Sequence, residues 1–518
     1  MMYVKTPALR IAAPLCAALL TLGGCGGGKA TTDTPTTSTA TPDLGPIDRS
    51  KLPEPAASKT WAPPAVSHWT MANGIEVYHL QQNQAPLVAL ELIFPRGAAL
   101  DPVDKAGLTH LTAAMLDEGA EGMNAFAISE AFQRLATDFS ISVGTDATMV
   151  SMDMLADKVD ESLGLMTKVM RTATFPEAEF ARVKAQSRAQ ALAQEAQPGW
   201  GNTVVMRKVL FGEGYGAAPP TGTRASLGAI TLDDIKGQYA KVFHPQGLAV
   251  VAVGAIDKAA LEAALKNHFT DWPKGAEAPA TTVESREVKR GIYFVDYPGA
   301  PQSALTVARR VDGFDAAIGP QGDYFPAMVF NWTLGGAFTS RVNMNLREDK
   351  GYTYGARSYF NRWSKAGFFM LTAQVKSETT RASVDEIFKE LDGIHGPKPV
   401  TADEQKQAQG GLLLGFPGRF ENMGSVAGQL SKLPMHSLPM DWFTSWSGKV
   451  EAVTSAQVKA MADRYTQAGD FSIFIAGDRK TVAPTLESLN LPIYYYDALG
   501  NPLPAEEKTA EGTEKTTP

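Results

Sequence analysis

The run Gly107-Leu108-Thr109-His110-Leu111-Thr112-Ala113-Ala114-Met115-Leu116 has the form of a helix built to carry chemistry at one turn's spacing. Two imidazoles one turn apart can hold a zinc ion, and a carboxylate beside them can take a proton from the ion's water, as in His-x-x-Glu-His. Here His110 stands alone. Ala113 takes the place of the carboxylate and Ala114 that of the second imidazole, and a methyl group can do neither job. The other histidines, at positions 68, 79, 244, 268, 395 and 436, give no pair three, four or five residues apart, so no helix offers two ligands on one face. The expectation is that this chain binds no metal.

A second constellation needs no metal. Arg347 and Tyr354 lie seven positions apart in Leu346-Arg347-Glu348-Asp349-Lys350-Gly351-Tyr352-Thr353-Tyr354-Gly355. A guanidinium presents several fixed donors to peptide carbonyls, and a phenol can donate to an oxyanion as it develops. The same residues also fit a helix-end arginine favoured by the dipole and a tyrosine half-buried on a strand. Upstream, Gly335-Gly336 either lets the backbone approach a bound peptide or permits a tight turn before a helix. Tyr494-Tyr495-Tyr496 reads as an edge strand or packing segment. A nucleophilic hydrolase has little to build on: there is no Gly-x-Ser-x-Gly elbow, no Gly-Lys-Ser phosphate loop, and no cysteine besides Cys16 and Cys25.

These residues must be positioned by a fold, and the sequence contains two copies of part of it. Thr231-Leu232-Asp233-Asp234-Ile235-Lys236 through Leu248-Ala249-Val250-Val251-Ala252-Val253-Gly254 aligns without a gap on Thr454-Ser455-Ala456-Gln457-Val458-Lys459 through Phe471-Ser472-Ile473-Phe474-Ile475-Ala476-Gly477, at a constant offset of 223 residues. Each copy has a helix start signal, an amphipathic helix, a turn, and an apolar run ended by glycine that reads as a buried strand. Ahead of the first copy, residues 74–80 alternate as a half-buried strand and Leu87 to Phe94 form a second one, while Val159, Leu163, Met166, Val169 and Met170 share one helix face. The expected fold class is α+β: two homologous domains, each a mainly antiparallel sheet with helices packed on one face. The expected boundaries are 66–275 and 291–490, joined by a Pro/Ala-rich linker at 276–290.

The two chemical blocks together resemble the insulinase/pitrilysin-type zinc peptidases, the family that includes the mitochondrial processing peptidase. Gly-Leu-x-His-Leu-x-x-x-Met-Leu followed by Glu118-Gly119 is similar to that family's zinc-site region, and Leu334-Gly335-Gly336-Ala337-Phe338-Thr339-Ser340-Arg341 with the Arg347–Tyr354 block is similar to its partner-half signature. The resemblance covers roughly residues 66 to 490. It implies a hinged, half-clamshell pair of domains, a degenerate zinc motif at His110, Ala113 and Ala114, and substrate-recognising roles for Arg347 and Tyr354. It also implies a third zinc ligand, a glutamate on a later helix. The matching stretch Val183 to Gln194 contains no carboxylate, and Glu177, Glu179 and Glu195 flank it, where they would cap the helix or sit in solvent.

The function expected from this resemblance is that of a non-catalytic subunit, inactive alone, in a heterodimeric zinc metallopeptidase. Zinc and an intact His-x-x-Glu-His would reside on a partner chain, peptides would be the substrates, and this chain would lend Arg347 and Tyr354 across the cleft. The alternative is a peptide-binding or scaffold lipoprotein of the same fold with no peptidase activity. A net charge of −7 and the lack of any Lys/Arg-rich run argue against nucleic acid.

The N-terminus bears on where this would happen. Lys5 and Arg10, the apolar stretch Ile11 to Leu22, and Gly23-Gly24-Cys25 follow the charged, apolar and small-residue order of a signal peptide, here 1–24. Leu22-Gly23-Gly24-Cys25 resembles a bacterial lipobox, which implies lipidation of Cys25 and anchoring on the periplasmic side of the cell envelope, with the outer membrane compatible. Residues 25–65, rich in Thr, Pro, Ser and Ala, read as a flexible linker, and 491–518 as a C-terminal tail.

Overall fold

The computed structural model describes residues 61–277, 281–283 and 286–504. The expected signal peptide, Cys25, most of the expected linker after it and the last residues of the expected tail lie outside the described residues.

Two sheets organise the described chain. The first contains β1 (Ser67–Thr70), β2 (Glu76–Gln81), β3 (Leu87–Phe94), β6 (Asp138–Val143), β7 (Thr148–Leu155) and β8 (Ala249–Gly254), with β4 (Gly119–Ala120) and β5 (Met123–Asn124) forming a small separate ribbon. The second contains β9 (Ile292–Asp296), β10 (Gln302–Asp312), β11 (Thr353–Arg362), β12 (Ala366–Lys376), β13 (Ser472–Gly477), β14 (Ile493–Tyr496) and β15 (Pro502–Leu503). Their orders are β1-β2-β8-β3-β7-β6 and β11-β12-β10-β13-β9-β14-β15. In each sheet the repeated strand is central. β8 runs parallel to β2 and antiparallel to β3, as β13 runs parallel to β9 and antiparallel to β10.

The repeat is also visible in the helices that precede those strands. Thr231 and Thr454 each accept a backbone N–H three residues on, from Asp234 and Gln457, whose side chains reach back to close a capping box on the helices Leu232–Val242 and Ser455–Tyr465. This reciprocal satisfaction of free N–H groups fixes where each helix begins.

Alternation along the strands sends side chains to two different cores. In the first sheet Val77, Leu90, Leu92, Val150, Met152, Val250 and Ala252 pack under helices of their own half, among them Leu111, Leu163, Met166, Ile235 and Leu261. The opposite face, with Tyr78, Leu80, Ile93, Val251 and Val253, is covered by Val426, Ala427, Leu430 and Leu433 from the second half. The second sheet reciprocates. Its face formed by Val295, Ala304, Phe368, Met370, Phe474 and Ala476 is covered by Val205, Met206, Val209 and Leu210 of the first-half helix Pro198–Phe211. The two exchanged segments begin near residues 198 and 423, again close to the repeat offset. Helices were expected on one face of each sheet; the other face is covered too, by the opposite half. Leu430 is fully buried on the borrowed helix Met423–Leu430. Leu430→Ala is expected to lower stability by about 3 kcal/mol, read by denaturant unfolding, through lost burial and the cavity left behind.

Polar contacts cross the same junction. Asn202, buried on Pro198–Phe211, donates to the Ala304 carbonyl at 3.2 Å and to Thr306 Oγ1 at 3.1 Å. Ser431 donates to Glu91, and Tyr215 to Asp146, whose other oxygen accepts the Ser364 N–H at 2.8 Å. At the ends, Trp61 packs edge-on against Phe416 at 5.5 Å, so the expected linker is already seated on the domain at that point. The segment after residue 490, read as a tail, instead extends the second sheet: β14 pairs in parallel with β9, and Tyr494 stacks on Tyr293 at 5.1 Å.

Candidate functional site

The helix carrying His110 spans Leu108–Ala113. It starts from Gly107 at φ +91°, where a side chain would also collide with the Thr221 carbonyl and Gly222. Asp101 anchors its first turn. One carboxylate oxygen accepts the Gly107 N–H at 2.9 Å; the other accepts the Thr109 N–H at 2.9 Å and the Thr109 hydroxyl at 2.5 Å. Gln238, on the Leu232–Val242 helix, donates to Thr109 Oγ1 at 2.7 Å. The helix therefore has four of its polar groups tied to neighbours before it reaches His110.

Ala113 is buried and Ala114 half-buried, so both side chains sit where functional groups were sought. His110 is half-buried and, contrary to the expectation of a hydrogen-bonded remnant, its ring bonds to no other described residue. Burial depresses its pKa below the ordinary imidazole value, which favours the neutral ring. Among the described residues no group of three or more His, Cys, Asp or Glu side chains could hold a metal ion. The residues around His110 thus do not fit a zinc ion, and no chemical step in this chain runs through one.

The later helix, Glu177–Glu195, confirms why no third ligand arises. Glu177 is exposed, while Glu179 pairs with Arg182 at 2.6 Å and Arg182 also pairs with Glu118. Glu195, expected as a cap or in solvent, is buried and held by Arg224, whose Nε lies 3.2 Å away and whose backbone N–H donates to it at 3.2 Å. Its charge is balanced from the next helix, a partner that sequence spacing does not reveal.

Asp101 titrates out of the usual range. Burial raises its pKa to about 6, against the opposing pull of the hydrogen bonds from Thr109 and Gly107. A carboxyl with a raised folded-state pKa binds its proton more tightly when folded. Its contribution to stability is therefore full below the unfolded value of about 4 and is lost as pH rises toward 6, about 3 kcal/mol in all. Asp101→Asn is expected to flatten the pH dependence of the melting temperature across that window. A slope in Asp101→Asn like that of the wild type would place the titrating group elsewhere.

Arg347 and Tyr354 lie on a different surface. The chain makes π-helical turns at Trp332–Gly336 and Met344–Asp349, a helix variant often found at functional sites. The glycine pair serves the first turn rather than a positive-φ bend. A Cβ on Gly335 would meet the Ser358 backbone N at 2.5 Å, so the glycine lets the turn press against β11. Arg347 sits on the second turn, its Nε 3.2 Å from Glu348 and its guanidinium 4.5 Å from the Phe338 ring centroid. After Gly351, at φ +65°, the chain enters β11, where Tyr354 is 92% exposed. A tyrosine half-buried on its strand was one expectation; the phenol instead stands in solvent. The Tyr352 N–H donates to the Leu346 carbonyl at 2.9 Å, closing the turn so that Arg347 and Tyr354 flank it.

Two buried asparagines fix this surface, and neither stood out in the sequence. Asn345 donates to Glu386 at 2.9 Å and Glu390 at 2.7 Å, tying the π-turn to the Thr380–His395 helix. Asn343 bridges Phe338 and Ala356. Arg341, in contrast, is spent on structure: it pairs with Glu404 at 2.7 Å and donates to the Pro399 carbonyl at 3.0 Å.

With two sheet-bearing halves, a disarmed motif helix in the first and an exposed Arg/Tyr turn in the second, the comparisons with known proteins define the class. Residues 77–210 match the model of the insulinase family, peptidase family M16, and residues 229–412 match that of the peptidase M16 inactive domain. The chain belongs to the M16 family, and within it to the inactive, non-peptidase-homologue kind. A Helicobacter pylori protein named non-peptidase homolog YmxG is 23% identical over 417 residues, spanning 78% of this chain and 92% of its own length. A Bacillus subtilis protein named uncharacterized zinc protease YmxG is 20% identical, over 67% of this chain and 84% of its own. The crystal structure of a peptidase M16 inactive domain from Pseudomonas fluorescens superposes with a TM-score of 0.73 at 27% identity, covering 80% of this chain and 98% of that one.

Proposed function

We propose that this chain is the exported, non-catalytic subunit of a heterodimeric zinc metallopeptidase. A partner chain with intact His-x-x-Glu-His holds the zinc, and this chain contributes Arg347 and Tyr354 to binding of the peptide. The observation that carries the reading is the contrast between the two blocks. The motif helix keeps its anchoring through Asp101, Thr109 and Gln238 although its zinc-binding positions are alanines, while Tyr354 is left in solvent on a turn that buried asparagines hold in place.

In this arrangement the guanidinium donates to carbonyls of an extended peptide, and the phenol donates to the oxyanion that forms on the scissile carbonyl. The partner supplies the metal and the base. A lipid on Cys25 anchors the subunit on the periplasmic face of the envelope, in keeping with the lipobox-like Leu22-Gly23-Gly24-Cys25.

The test is to purify the chain alone and together with M16 chains that carry the intact motif, and to measure bound zinc and peptide cleavage in each sample. The expected result is no chelator-sensitive cleavage by the lone chain and cleavage by one of the pairs. Zinc at one per chain in the lone protein, with cleavage that a chelator abolishes, overturns the assignment. Peptide binding without cleavage by any pair would support the scaffold alternative instead.

A further inference from the structure

Arg347 and Tyr354 do not account for the surface that surrounds them. Phe338 is 59% exposed and Met344 37%, beside the almost fully exposed Tyr354. Single exposed apolar residues are ordinary, but three large ones grouped around one guanidinium mark a surface that gains by being covered. The segments carrying them are fastened together by one buried amide. Asn343 Nδ2 donates to the Phe338 carbonyl at 2.6 Å, and its Oδ1 accepts the Ala356 N–H at 3.0 Å, two residues beyond Tyr354. The Phe338 ring is further held by the Arg347 guanidinium against its face. A ring fixed in this way costs little entropy when a ligand lands on it.

We infer that Phe338, with Met344 and Tyr354, is a specificity-determining contact that selects peptides with a bulky aromatic or aliphatic side chain next to the carbonyl that Arg347 binds. The inference rests on the role proposed above for Arg347 and names the side-chain class that role would favour. Two facts choose an apolar occupant over an acidic one. The guanidinium already has a carboxylate neighbour in Glu348 and a π face in Phe338, so an incoming acid replaces a contact rather than adding one. The three exposed side chains, in contrast, have apolar area to bury, and ring contacts of this kind add to the gain from area alone.

The test uses the full chain and two labelled, unstructured peptides identical except for a central Phe or Ser, with binding read by fluorescence anisotropy. Wild type is expected to bind the Phe peptide about fivefold more tightly, the equivalent of one well-made aromatic contact. Phe338→Ala is expected to bring that ratio close to one, and Phe338→Leu to retain part of it. Equal binding of both peptides by wild type, no binding of either, or a preference that survives Phe338→Ala would overturn the inference. Arg347→Ala separates it from the proposed function. Weaker binding of both peptides supports the Arg347 role whatever Phe338 does, whereas unchanged binding with a Phe338-dependent preference would remove that role and leave the apolar shelf standing.

Discussion

Replacing Arg347 with alanine is expected to lower kcat/KM of the assembled peptidase by about a hundredfold, the scale of losing a charged donor aimed at a reacting peptide. Tyr354→Phe removes one hydroxyl and is expected to cost about tenfold, the size of a single hydrogen bond to a developing charge. Neither substitution should disturb assembly or folding. Tyr354 is in solvent, and Arg347 is partly exposed and lies on the face of Phe338 without entering the core. Co-elution of the two chains and steady-state kinetics check both points. Turnover equal to wild type in Arg347→Ala with assembly intact would show that the exposed turn takes no part in recognition.

The largest expected loss of stability comes from Asp323→Ala. Asp323 precedes the Tyr324–Asn331 helix and is buried with Arg362, 2.6 Å away, while Tyr465 donates to it and Arg464 lies 3.2 Å from its other oxygen. Burial alone would push this carboxyl's pKa up, but the bonds from Arg362 and Tyr465 and the charge of Arg464 more than offset it and hold the pKa below the usual carboxylate value. Alanine would leave the Arg362 guanidinium buried without its counter-charge, a change that typically costs about 3 to 5 kcal/mol. The expected outcome is a lowered unfolding midpoint and early loss of the second half. Because the folded pKa is depressed, the stabilisation is present at neutral pH and is lost as pH falls through the carboxylate range. The difference between wild type and Asp323→Ala should therefore shrink in acid, and a difference independent of pH would point away from the ion pair.

Much of this molecule was legible before any coordinates. The 223-residue repeat, with Thr231 and Thr454 as helix starts, led to two halves whose central strands β8 and β13 occupy matching places. The alanines at 113 and 114 were legible as missing ligands because metal chemistry tolerates so few substitutes. The exchange of helices between halves was not read, although a trace of it was present: Ala249 to Val253 and Ser472 to Ala476 do not alternate, and a strand apolar on both sides needs cover on both. What supplies the cover is a long-range contact with no local signal.

Around the Arg347 turn the limits are of the same kind. Spacing placed Arg347 and Tyr354 seven residues apart, but exposure decides between a packed tyrosine and a presented one, and exposure belongs to the folded surface. The two π-turns and the amide bridge from Asn343 arise from tertiary closure against β11, which no residue pattern announces. Glu195 shows the opposite error. Its polarity suggested solvent, and an arginine 29 positions later made burial tolerable.

The exchanged helices bear on how such a chain came to exist. One half on its own would leave a sheet face bare and a greasy helix without a seat, so two identical copies would settle by trading helices, each completing the other. The present polypeptide has the look of that swapped pair made permanent by a tether. Once both copies were encoded together, either was free to drift, one losing its grip on metal while the other kept its recognition turn, without the pair ever coming apart.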